Sequence, residues 1–167
     1  MAGMAARARE LFQFGGLAAV RNFHPLVVHY PVALLTLSAL LYVVAWGSRR
    51  DAWAWTAFWM LVLGTLGAAL AVWTGLRAGA GVMVAQSVRD HILVHHKQLM
   101  IVVFAMSVAL SGWAIAARPV PRRGRAAFIA LMVVMALLLA TGADYGAWMV
   151  YGYNAGGSLP QPIEFSQ

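Results

Sequence analysis

Apolar positions run through this chain in four long blocks, about residues 25–46, 52–76, 92–117 and 126–150, and most charged residues fall in the gaps between them. Each block exceeds the roughly 20 residues that a membrane-spanning helix needs. Two of the gaps are short, and short gaps make successive helices antiparallel neighbours. The pattern therefore predicts an all-α integral membrane fold, with four transmembrane helices in an up-down-up-down bundle. The expected organisation is an interfacial segment over 1–22, the transmembrane domain over 23–153 and an extended tail over 154–167. Arg7, Arg9 and Glu10 precede a short, Gly-broken apolar run, which suits a helix lying on the membrane better than a cleaved signal peptide.

Composition agrees with this reading. The chain is 62% hydrophobic and 10% charged, against about 45–50% and about 25% in soluble domains. It has no cysteine, which excludes disulfides, thiolate metal sites, iron–sulfur clusters and covalent haem attachment. The net charge of +7 does not argue for nucleic acid, because its arginines lie in loops and at span ends.

An even number of spans leaves both termini on one side, here called side B. Side A carries Arg49, Arg50, Arg118, Arg122, Arg123 and Arg125 in two compact loops. Basic residues packed into short loops favour the cytoplasm. The expectation is thus a multi-pass membrane protein with side A cytoplasmic and side B and both termini periplasmic.

Side B also holds all five histidines, in two clusters: His24-Pro-Leu-Val-Val-His29 and His91-Ile-Leu-Val-His95-His96. Ionisable groups at membrane depth are expensive and usually mark a site. Pro25 suits a first helical turn, whereas Pro31 should bend or loosen α-helical structure. His29 lies deeper than His24, and His91 and His95 share a face four residues apart. The expected arrangement is a meeting of His29 with His95 across the bundle. Two such rings can give the axial ligands of one b-type haem. The rise from His24 to His29 is only about 7.5 Å, too little to stack a second macrocycle. His24, His91 and His96 are then accessory candidates. Asp144 could fix a ligand's tautomer, and Arg77 and Arg89 could pair with propionates. A zinc or copper ion on three histidines, with Asp144, is the competing site. A cofactor-free structural or anchoring subunit is the bland alternative. Continuous transport is disfavoured, because spans two and four offer little polar character beyond Thr56, Thr65 and Thr74. No serine or carboxylate pair stands beside a histidine in a hydrolase motif.

The stretch His24-Pro-Leu-Val-Val-His29-Tyr-Pro-Val-Ala-Leu-Leu resembles the signature of a bacterial membrane family called domain of unknown function 2231, with Tyr30 in place of Phe and Val32 in place of Ile. Trp73-Thr-Gly75, the histidine that opens span three, and Gly142-Ala-Asp-Tyr-Gly146-Ala-Trp-Met-Val150-Tyr151 extend the resemblance over about 22–153. Ala147 stands where a second glycine is usual. The resemblance implies a four-helix membrane domain without a settled activity. The family's frequent association with c-type cytochrome domains implies electron transfer on the periplasmic face. A lipid bilayer, partner subunits of a complex and a c-type cytochrome are the partners expected.

Overall fold

The structure is a computed structural model describing residues 23–81 and 84–155. The proposed interfacial segment and nearly all of the tail lie outside the described residues.

Four helices carry the fold: α1 His24–Ser48, α2 Asp51–Gly81, α3 Gln86–Ala117 and α4 Arg125–Tyr153. There is no strand among the described residues. All four helices are long and apolar enough to cross a bilayer. The 25 residues of α1 span about 37 Å, enough for a hydrocarbon core of about 30 Å.

Neighbouring helices pack as antiparallel hairpins. Along α1 and α2 the contacts step in opposite directions, from His24 beside Gly75, through Tyr30 beside Gly67, to Leu35 beside Gly64. Along α3 and α4 they step from His96 beside Gly146 and Leu99 beside Gly142 to Trp113 beside Gly124. The two hairpins close on each other through α2 with α3 and α1 with α4. Glycine at these positions lets backbones approach to where a Cβ would collide, the usual basis of helix packing in lipid.

The buried core runs through Leu35, Tyr42, Leu61, Val103, Leu110, Phe128, Met132 and Met135. Polar side chains join the helices inside it. Ser38 donates to the Ala57 carbonyl at 2.8 Å. Thr65 lies 2.9 Å from the Ser111 hydroxyl and 3.3 Å from the Ser107 carbonyl. Tyr42 packs edge-on against Phe128 and donates to the Pro119 carbonyl at 2.8 Å, which ties the second side A loop to the bundle.

Pro31 does not break α1. It is buried within a continuous helix, its ring against the α2 surface at Gly67. The irregularity falls elsewhere, in a π-helical turn at Arg89–Leu93. Val88, just before it, and Ile92 within it are buried with Met149 of α4, and His96 faces the same helix one further step of four along. In a regular α-helix each step of four drifts by about 40°. The wider turn takes up part of that drift and keeps the three residues facing α4.

Candidate functional site

Helical register decides which histidines turn inward. On α1, Pro31, Ser38 and Ala45 are buried at intervals of seven, as are Leu35 and Tyr42. Continued one heptad back, the first row reaches His24. On α3, Val103 and Leu110 form such a row, which reaches His96. His24 and His96 are accordingly half-buried.

Each ring is held by the neighbouring helix. The Nδ1 of His24 lies 3.1 Å from the Thr74 hydroxyl on α2. That hydroxyl is also within hydrogen-bond distance of the carbonyls of Leu70 and Ala71, and the His24 ring itself bonds to the Ala71 backbone. The Nδ1 of His96 donates to the Gly142 carbonyl on α4 at 2.7 Å. A carbonyl only accepts, so the proton sits on Nδ1 of His96 and the lone pair of the neutral ring on Nε2. Two glycines make the seats. A Cβ on Gly75 would stand 2.8 Å from the His24 ring, and one on Gly146 would stand 3.1 Å from the His96 ring. His24 is thus seated between α1 and α2, and His96 between α3 and α4. Counted about 20 residues back from the side A ends, their level is the side B boundary of the hydrocarbon.

The other candidates are placed differently. His29 and His95 are exposed on the outside of the helices, so they do not form the cross-bundle pair expected of them. The five residues from His24 to His29 turn the helix by about 500°, and that carries His29 about 140° away from the inward face. His95 bonds through Nδ1 to the His91 carbonyl of its own helix and stacks on Tyr145 at 5.9 Å between centroids. His91 is exposed in the π turn; with His95, Tyr145, Trp148 and Tyr153 it lines an open groove of about 340 Å³. Asp144 is also exposed. Arg77 lies over the Trp73 ring at 4.1 Å, and Arg89 donates to the Gly79 carbonyl at 3.3 Å, bridging the starts and ends of α3 and α2. Among the described residues no three His, Asp or Glu side chains come together as a metal-ligand group.

Sequence reasoning named Thr74, Gly75 and Gly146 as polar or motif residues but did not assign them to holding the His24 and His96 rings. The signal available was the seven-residue row, together with a Thr-Gly pair at the depth of His24.

The family model described as predicted membrane protein (DUF2231) matches residues 20–158. The chain belongs to this family. The match takes in all four helices and both histidine clusters, and it confirms a membrane protein whose natural surroundings include the lipid bilayer. No curated protein and no solved structure matches the chain.

Proposed function

We propose that this DUF2231 protein is a subunit of a membrane electron-transfer complex and that one b-type haem near side B would be held by His24 and His96. The observation that carries the reading is the inward placement of these two rings on α1 and α3, each with its Nδ1 already engaged by a neighbouring helix. A ligating histidine commonly gives its other ring N–H to such an acceptor, which fixes ring orientation and tautomer. The glycine seats fit the same purpose, because a side chain at Gly75 or Gly146 would push a ring off its position. When bound, such a haem would supply one-electron transfer at a potential tuned by its surroundings. The chain's own part is to orient the two imidazoles and to shield one side of the site with the bundle.

The exposed His29 supports the complex. Facing hydrocarbon alone it would be costly, and a partner subunit over that face relieves the cost. The dense arginines of the side A loops support an inner-membrane orientation with side A cytoplasmic, so the haem end would meet a periplasmic donor or acceptor such as a c-type cytochrome.

A second reading is a cofactor-free structural subunit. It is favoured by the same hydrogen bonds, which satisfy both rings as interhelical glue without any ligand. A reduced-minus-oxidised absorbance spectrum of the native complex separates the two. A b-type α-band lost in both His24→Ala and His96→Ala, but kept in His29→Ala, is the expected result. A band retained in both inward variants overturns the ligand assignment. Absence of any band from the wild-type complex, with clean metal analysis, leaves the structural reading standing.

A further inference from the structure

On side A, the end of α1 and the start of α4 frame an open cleft of about 630 Å³, lined by Val43, Trp46, Gly47, Arg49, Asp51 and Arg125. This lies within the range of about 300–1,000 Å³ typical of ligand sites. Arg125 opens α4, and its Nε is buried with no hydrogen-bond partner among the described residues. Arg49 caps α1 in a left-handed conformation, φ 55°, at the mouth of the same cleft.

The Arg125 position is firmly set. Its predecessor Gly124 has φ 75° and packs against the Trp113 ring, while the loop before it is pinned by Tyr42 through Pro119. Two arginines against one aspartate leave the cleft positive. Its other walls, Val43 and Trp46, are apolar and stand at the level where Trp marks a bilayer boundary.

We propose that this cleft binds the phosphate headgroup of an anionic phospholipid, with Arg125 and Arg49 on the phosphate oxygens and the first acyl segment along Trp46 and Val43. Guanidinium is the side chain best matched to phosphate, and basic pockets between transmembrane helices take anionic headgroups. The apolar wall selects a lipid over a free anion. The proposal is independent of the histidine site.

The test uses the full-length protein, delipidated in mild detergent and titrated with phosphatidylglycerol or phosphatidylcholine, with bound lipid counted by native mass spectrometry. Phosphatidylglycerol is expected to be retained in preference. Arg125→Gln and Arg49→Gln are each expected to weaken its binding about tenfold or more, the loss expected for one charged hydrogen bond. Arg122→Gln, an exposed loop arginine outside the cleft, is the control and keeps wild-type binding. Equal retention of the two lipids, or an equal loss in Arg122→Gln, overturns the site. Full competition by millimolar inorganic phosphate overturns the lipid as its occupant. If Arg125→Gln does not fold, Arg49→Gln decides alone, because its side chain is exposed and supports no core packing.

Discussion

Gly75→Ala probes the seat of His24 directly. The added methyl would stand 2.8 Å from the ring, where apolar contacts settle at about 3.5–4.0 Å. The ring must therefore retreat by about 0.7 Å or more. Retreat from Gly75 is also retreat from Thr74, the residue before it, and a shift of that size breaks the 3.1 Å bond. Overpacking costs about 1–3 kcal/mol and the lost hydrogen bond about 0.5–1.5 kcal/mol. Replacing a helical glycine returns about 0.5–1 kcal/mol. The expected net effect is a destabilisation of about 1–3 kcal/mol. Reversible unfolding in mixed detergent micelles measures it. A double-mutant cycle assigns it: in a His24→Ala background the methyl meets no ring, and the penalty should vanish. Gly112→Ala, whose methyl would meet nothing within 4 Å, should be neutral or stabilising. If Gly75→Ala is harmless, or its penalty persists without the His24 ring, the seat described here is not the reason for glycine at this position.

Other substitutions test the interior and the loops. Thr65→Val removes the link from α2 to Ser107 and Ser111; a loss of about 1–2 kcal/mol is expected in the same unfolding assay. Tyr42→Phe deletes the bond to the Pro119 carbonyl; a global loss of about 1 kcal/mol is expected, with faster amide exchange across the 118–124 loop. His95→Ala removes a ring stacked on Tyr145 outside the bundle, so stability should change by under about 1 kcal/mol, and any haem band should persist. A reporter fused within the 118–124 loop should read cytoplasmic, and a periplasmic signal would invert the proposed orientation.

The four spans, the family and the gathering of histidines at one end were legible in the amino-acid sequence, because block hydrophobicity and motif spacing are local properties. Which histidines face inward was not. In a soluble helix, hydrophobicity marks the buried face. In a bilayer the outward face is as apolar as the core, so Leu37, Leu40, Leu66 and Leu137 are exposed while Ser38, Thr65 and Ser107 are buried. Depth in the sequence pointed to His29 and His95, but helix rotation turned them outward. Rotation was fixed by close approach at Gly64, Gly67, Gly75, Gly142 and Gly146 and by the π turn at Arg89–Leu93. Hydropathy determines that these segments enter a membrane. The shape of the partner helix determines which side of each segment becomes the interior.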